Sequence, residues 1–145
     1  MIRIERMNEA HVLQVAELEK CCFSDPWSEQ SIAYELRGPF SLWLVALDGE
    51  TVAGYVGSQS VQGESDMMNI AVHPDYRRQG IGEKLVTELA AQLKALGNAC
   101  LTLEVRVSNA NAIALYEKLA FRQIGRRPNY YRNPKEDALI LQKEL

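Results

Sequence analysis

The feature that most constrains this chain is a glycine-containing turn between an apolar strand pattern and a long amphipathic helix pattern. The turn reads Arg77-Arg78-Gln79-Gly80-Ile81-Gly82, and the apolar run Met68–Val72 precedes it. Glycines have no Cβ, so a ligand can approach the backbone closely. The unpaired N–H groups of a first helical turn, together with the helix dipole, attract phosphate. With Arg77 and Arg78 adding charge, the turn predicts an anion site for a phosphate-bearing cofactor.

Two familiar nucleotide-binding motifs do not fit this turn. The chain lacks Gly-x-x-x-x-Gly-Lys-Ser/Thr, and a dinucleotide fingerprint would need glycine where the sequence has Leu85. The remaining pattern, Arg77-x-x-Gly80-x-Gly82, resembles the signature of the GNAT superfamily of N-acetyltransferases. That resemblance implies that the turn binds the diphosphate of acetyl-coenzyme A (acetyl-CoA). Taken alone, the pattern also fits an ordinary helix start with exposed arginines.

Length and composition limit the class of protein. The 145 residues, 47 % of them hydrophobic, predict one domain over residues 1–145 with a single packed core. The net charge of −3 argues against a general nucleic-acid binder. The sequence has no long apolar span and no signal-peptide pattern, so we expect a cytoplasmic protein without a membrane anchor. Three cysteines without a Cys-x-x-Cys pair indicate reduced thiols.

Periodicity and turn residues predict elements in the order β-α-α-β-β-β-α-β-α-β-β. The predicted helices are 8–22, 28–36, 80–96 and 109–119. The predicted strands are 1–6, 41–47, 51–60, 65–72, 99–107, 121–126 and 138–142, with a hairpin turn at Asp48-Gly49. The helix after Gly80 should link two parallel strands. The order indicates an α/β protein with a mixed central sheet of about seven strands and about four helices. This order resembles that of the GNAT fold along essentially the whole chain.

The strand 101–107 carries the first candidate catalytic residue. Apolar residues alternate with Thr102, Glu104 and Arg106, so the polar side chains share one face. Such a carboxylate could simply be solvated. A strand flanked by crossover helices is usually central, however, so we expect Glu104 to face a cleft. A carboxylate there could take a proton from an incoming amine.

Tyr116 is the second candidate, on the helix that follows the Glu104 strand. A phenol with a pKa near ~10 could protonate a leaving thiolate. The spacing alone equally fits a tyrosine in the apolar stripe formed with Leu115 and Leu119.

Longer segments resemble one branch of the superfamily, the bacterial ribosomal-protein alanine N-acetyltransferases (RimI type). The matching segments are Leu103–Asn109, Ala112–Glu117, Asp25–Ser28, Asn129–Tyr131 and Glu136–Ala138. The resemblance implies that Glu104 is the general base, Tyr116 the general acid and Asn109 a cofactor contact. It also implies that acetyl-CoA binds to the strand backbone at Ile70, Ala71 and Val72. The diphosphate would be held by the loop of Arg78, Gln79, Gly80, Ile81, Gly82 and Glu83. One departure is Ala120, where the family commonly has glycine.

The acceptor is narrowed by chemistry and by the same resemblance. A peptide α-amine, with a pKa near ~8, is about 10 % neutral at pH 7, against roughly 0.04 % for lysine. This favours a protein N-terminus, and the resemblance implies the N-terminal alanine of small-subunit ribosomal protein eighteen. Tyr130 and Tyr131, expected between the last two strands, could form a wall of the acceptor groove or merely decorate a hairpin.

Other chemistries have little support in the sequence. The two histidines, His11 and His73, have no partner at metal-ligand spacing, so we predict no metal site. Cys100 has no nearby histidine to activate a covalent mechanism. Two alternatives to N-terminal acetylation stay open. One is an acetyltransferase for a small amine, an antibiotic or a lysine, and the other is a non-catalytic acetyl-CoA-binding partner protein.

Overall fold

The computed structural model describes residues 1–145 as seven strands and four α-helices. The strands are β1 (Ile2–Arg6), β2 (Ser41–Asp48), β3 (Thr51–Val61), β4 (Glu64–Val72), β5 (Cys100–Arg106), β6 (Arg122–Tyr131) and β7 (Glu136–Glu144). The helices are α1 (Val12–Cys22), α2 (Glu29–Leu36), α3 (Ile81–Ala95) and α4 (Ala110–Lys118), with 3₁₀ turns at Glu9–His11 and Pro74–Tyr76. The predicted α/β class and element order are confirmed.

All seven strands form one sheet in the order β1-β2-β3-β4-β5-β7-β6. Every neighbouring pair is antiparallel except β4 and β5, which are parallel and joined through α3, as the sequence predicted. The strand that carries Glu104 therefore lies inside the sheet, between β4 and β7.

Helices cover both faces of the sheet and create two apolar cores, so the expectation of a single packed core is wrong. Strand β2 shows the division, because its residues are buried alternately on one face and the other. Leu42, Leu44 and Ala46 belong to the core under α3 and α4, which we call the α3/α4 face. Trp43, Val45 and Leu47 belong to the core under α1 and α2, the α1/α2 face.

A gap opens in the sheet between the two parallel strands. Strands β4 and β5 pair only over Glu64–Asp66 and Cys100–Thr102. Strand β4 also has an irregularity against β3, where Gly57 pairs with Asn69 and Ser58 with Met67, so that Met68 is an extra residue. An extra residue of this kind bends a strand. Beyond Asp66, β4 is paired only on its β3 side, and backbone groups pointing the other way face the gap.

Two features near the C-terminus differ from what the sequence or the family resemblance led us to expect: the length of β6 and the residue that ends α4. Strand β6 continues to Tyr131, so the expectation that Tyr130 and Tyr131 lie between the last two strands is wrong. The strand passes an irregularity at Pro128 and Asn129, residues that disfavour a strand in sequence. At the end of α4, Ala120 has φ 73°, the left-handed position that glycine adopts most easily, which costs about 1 kcal/mol.

Candidate active site

The gap between β4 and β5 forms the floor of a cleft of about 630 Å³. Its lining comes from β4, β5, α4, the loop between α1 and α2, and the end of β6 with the turn that follows it. Of the residues singled out in the sequence, six line it together: Ile70, Glu104, Asn109, Tyr116, Tyr130 and Tyr131. The structure thus brings both catalytic candidates to one cavity.

Glu104 enters this cleft from the α1/α2 face. Its neighbours Leu103 and Val105 are buried in the opposite core, and alternation along β5 therefore directs the carboxylate to the other side. The side chain is 31 % exposed, and its Oε1 lies 3.6 Å from Nε of Arg127. The predicted orientation toward a cleft is confirmed in geometry.

Tyr116 reaches the same cleft from the α3/α4 face. It is only 5 % exposed and packs edge-to-face against Phe121, with ring centroids 5.5 Å apart. Burial raises the pKa of this phenol to about 12. The group therefore keeps its proton at any physiological pH, which suits a proton donor.

The two tyrosines at the end of β6 stand beside Glu104. The carboxylate of Glu104, positioned to accept a hydrogen bond from the Tyr130 hydroxyl, raises the pKa of that phenol, and partial burial adds to the effect. Burial, followed by the charge of Glu104, raises the pKa of Tyr131 to about 12. The rings of Tyr130 and Tyr131 pack at right angles, with centroids 5.0 Å apart. Both phenols stay protonated and can donate hydrogen bonds.

Arg106, two residues after Glu104 on β5, fixes this end of β6. Its guanidinium donates to the carbonyls of Pro134 (2.9 Å) and Arg132 (3.1 Å) and to Glu136 (3.2 Å). Its Cζ lies 4.3 Å from the centroid of the Tyr131 ring. One arginine fork therefore joins the Glu104 strand to the tyrosine pair.

The glycine turn lies at the start of α3. Gly80 occupies the N-cap position with φ 74°, and Arg78 also has a positive φ of 66°. A shallow hollow there is lined by Val72, Tyr76, Arg77, Arg78, Gly80, Ile81, Gly82, Glu83 and Leu115, and a neighbouring one by Ile4, Gln79, Gly80, Glu83, Lys84, Thr87 and Glu88. The predicted anion-binding residues thus surround the first turn of α3.

The turn has room for a phosphate group. A Cβ added at Gly80 would meet nothing within 4 Å, and one at Gly82 would meet only Leu115, at 3.7 Å. No side chain caps the first turn of α3, so its N–H groups remain available to an anion. These observations fit the diphosphate expected from the sequence.

Arg77 ties the glycine turn to neighbouring parts of the chain. Arg77 donates from its guanidinium to the carbonyl of Val72 at 3.3 Å and to Sγ of Cys22 at 3.7 Å. Its side chain therefore links the turn to the end of β4 and to α1.

The three β4 residues expected to bind the cofactor differ in how open they are. The carbonyl of Val72 already accepts from Arg77, whereas Ile70 lines the open cleft. Ala71 is 7 % exposed with its side chain in the α1/α2 core, so only its backbone could meet a ligand.

The remaining reactive side chains stand apart from this cleft. His73 caps the turn at Pro74–Tyr76 by accepting from the Asp75 N–H at 3.1 Å. Cys100 lies at the start of β5, with its Sγ 3.9 Å from Glu64, and burial raises the pKa of its thiol. No group of three or more His, Cys, Asp or Glu side chains is arranged to hold a metal ion. No helix has the length and apolar character needed to cross a membrane.

Residues 12–121 match the acetyltransferase (GNAT) family. That range includes both candidate catalytic residues, the glycine turn and the gap between β4 and β5. The chain belongs to the GNAT acetyltransferase family. The acetyltransferase class and fold predicted from the sequence are therefore confirmed.

Relatives and solved structures narrow the position within the GNAT family. The chain is 40 % identical over 126 residues to the ribosomal protein bS18-alanine N-acetyltransferase of Escherichia coli K12, covering 86 % of this chain and 84 % of that protein. It also matches the crystal structure of the E. coli ribosomal-protein-S18-alanine N-acetyltransferase, with a TM-score of 0.92, 37 % identity and coverage of 99 % and 94 %. NAA60 from Arabidopsis thaliana, solved with acetyl-CoA, shares the fold at 17 % identity, with a TM-score of 0.89 and coverage of 100 % and 99 %.

Several residues at this GNAT cleft were not singled out as site residues from the sequence. Glu19, Asn69 and Arg127 contact or line the site through partners far away in the chain. One sign of Glu19 was available, because a carboxylate stands within the apolar stripe of α1. Its near-complete burial, at 1 % exposure, and its hydrogen-bond partners nevertheless depend on the tertiary structure.

Proposed function

We propose that this protein transfers the acetyl group of acetyl-CoA to the N-terminal α-amine of a protein, with the N-terminal alanine of ribosomal protein bS18 as its acceptor. The observation that carries the proposal is the gap between β4 and β5, because Glu104 lines the cleft at this gap and the glycine turn begins the helix that connects the two strands. The acceptor assignment is supported by similarity, over most of both chains, to relatives named for that activity.

The donor half of the proposed site is made mostly of backbone. The N–H groups at Gly80, Ile81 and Gly82 would hold the diphosphate, with Arg78, Gln79 and Glu83 around it. The unpaired edge of β4 at Ile70 and Ala71 offers backbone groups to the pantetheine arm, and Asn109 flanks the arm from α4. Bound acetyl-CoA supplies an activated acetyl thioester.

Glu104 is the proposed general base. An α-ammonium must lose a proton before its nitrogen can attack a carbonyl carbon, and a carboxylate can take that proton directly or through one water. Arg127, 3.6 Å away, places a positive charge beside this carboxylate. Tyr130 and Tyr131 would bound the acceptor groove beside the carboxylate.

Tyr116 is the proposed general acid. The departing thiolate needs a proton or a hydrogen bond. The Tyr116 phenol, with a pKa of about 12, is protonated at neutral pH and can donate to it. Its approach from the α3/α4 face puts donor and base on opposite sides of the gap. Proton removal and proton delivery are thereby kept on separate groups.

The experiment that tests the proposal is intact-mass spectrometry of ribosomal proteins incubated with the enzyme and labelled acetyl-CoA. We expect the enzyme to add one acetyl group to bS18. We expect no addition when the first residue of bS18 is deleted or its N-terminus is blocked. A matched peptide set should agree, with a free N-terminal alanine acetylated and a blocked peptide carrying one internal lysine untouched. Acetylation of the lysine peptide alone, or of neither peptide, would contradict the assignment.

A further inference from the structure

Glu19 is a buried carboxylate that the proposed chemistry does not use. It lies on α1 among apolar residues and is 1 % exposed, a degree of burial rare for glutamate. Burial raises its pKa, and the Trp27 N–H lowers it in part. Both groups that donate to it are uncharged, so its position is fixed by directed hydrogen bonds.

The two oxygens of Glu19 hold two different parts of the chain. Oε1 accepts from the Trp27 backbone N–H at 2.8 Å. Oε2 accepts from Nδ2 of Asn69 at 2.6 Å, across a separation of 50 residues. Oδ1 of Asn69 in turn accepts from the Ile70 N–H at 3.2 Å, which fixes the orientation of the amide.

These donors belong to opposite walls of the α1/α2 side of the cleft. Trp27 is in the loop between α1 and α2, and its ring packs 5.6 Å from that of Trp43. Asn69 is at the irregularity of β4, where the gap opens. Both line the same cleft as Glu104. The carboxylate is therefore a bridge that sets how far the loop stands from the strand.

We propose that Glu19 is a positioning residue that fixes the acceptor half of the cleft by anchoring the Trp27 loop to Asn69 of β4. This inference rests on the proposed function in one respect, because its kinetic effect is read on the acceptor. The diphosphate turn at the start of α3 makes no hydrogen bond to the bridge, which meets the donor half only where Asn69 accepts from the Ile70 N–H. Binding of acetyl-CoA should therefore change little.

The kinetic test uses Glu19→Gln, which keeps the shape but replaces one accepting oxygen with an amide. The substituted side chain could accept from Trp27 or from Asn69 but not from both. We expect kcat/KM for the bS18 N-terminal peptide to fall about tenfold, with the KM for acetyl-CoA within about twofold of wild type. The double variant Glu19→Gln with Asn69→Asp reverses the donor and acceptor, and should return kcat/KM to within about threefold of wild type.

Glu17→Gln is the matched control, because Glu17 lies on the same helix with a 64 % exposed side chain and should behave as wild type. An unchanged acceptor kcat/KM in Glu19→Gln would overturn the inference. So would an equal rise in the KM for acetyl-CoA, or a double variant that loses at least as much as both single variants combined.

Hydrogen exchange tests the anchor without any acceptor. In Glu19→Leu the Trp27 amide should exchange at least about tenfold faster, while the amides of α3 keep their protection. An unchanged Trp27 rate would remove Glu19 as the anchor, whatever the enzyme acetylates. Failure of the wild-type enzyme to acetylate any N-terminal peptide would count against the proposed function instead, and the exchange rate would then decide the inference alone.

Discussion

The two halves of the cleft are built in different ways. The donor half is formed by backbone conformation within a few consecutive residues, with positive φ at Arg78 and Gly80 and the first turn of α3. The acceptor half is formed by side chains that meet across long separations, as in the Glu19–Asn69 bond and the Arg106 contact with Arg132. The donor half should therefore be sensitive to added volume, and the acceptor half to lost hydrogen-bonding atoms.

The largest expected effect is that of Glu104→Gln. Removing the proposed base while keeping its shape should lower kcat about 10²-fold near neutral pH, because the ammonium then has no carboxylate to take its proton. Calorimetry should show unchanged binding of acetyl-CoA. Glu117→Gln, on the exposed side of α4, serves as the control. Turnover equal to wild type would remove Glu104 as the base.

Gly82→Val is the corresponding test of the donor half. Because a Cβ at this position meets only Leu115 at 3.7 Å, the fold has room for a small side chain. The added methyl groups should instead occupy the space of the diphosphate and weaken acetyl-CoA binding about tenfold or more, with Gly82→Ala intermediate. Ala91→Val, exposed on the same helix, controls for the effect of valine on helix stability. Undiminished affinity in calorimetry would contradict the assignment of this turn.

Tyr116→Phe should lower kcat about tenfold, since the departing thiolate loses its proton donor. Binding of acetyl-CoA and the melting temperature should change little, because the ring is retained. With a pKa of about 12, the Tyr116 phenol stays protonated through the alkaline range used in assays. Any fall in wild-type rate below about pH 11 should therefore persist in the variant. Tyr34→Phe, at an exposed residue of α2, is the control. A wild-type rate in Tyr116→Phe would show that Tyr116 has only a packing role.

The smallest effect is expected for Arg106→Lys, which keeps the charge but loses the planar fork. Lysine cannot reach Pro134, Arg132 and Glu136 together, so the tyrosine pair should loosen and the acceptor KM should rise about threefold to tenfold. The KM for acetyl-CoA should stay constant. Arg122→Lys, on the exposed part of β6, is the matched control. Equal changes in both KM values would show that the two halves are not independent.

The same contrast explains what could be predicted from the sequence. The glycine turn was identifiable because its spacing, the preceding strand and the following helix are all local. The orientation of Glu104 followed from alternation along β5, and the central place of that strand from the crossover through α3. In each case the determining residues lie close together in the chain.

The acceptor half could not be predicted to the same depth. The extension of β6 to Tyr131 depends on Asp137, whose carboxylate accepts from the Asn129 N–H and from Arg126, both at 2.8 Å. These bonds override the poor strand tendency of Pro128 and Asn129. The role of Glu19 likewise depends on a partner 50 residues away. Contacts between distant segments leave no spacing pattern in the sequence.

The most direct test of the account is a crystal structure with coenzyme A joined covalently to the N-terminus of a bS18 peptide. We predict the diphosphate on the amides of Gly80 and Gly82, the arm passing through the gap between β4 and β5, and the former α-nitrogen within direct or one-water reach of Glu104. A peptide lying on the α3/α4 face, or a diphosphate bound away from the glycine turn, would contradict the central claim that the gap joins two separate half-sites.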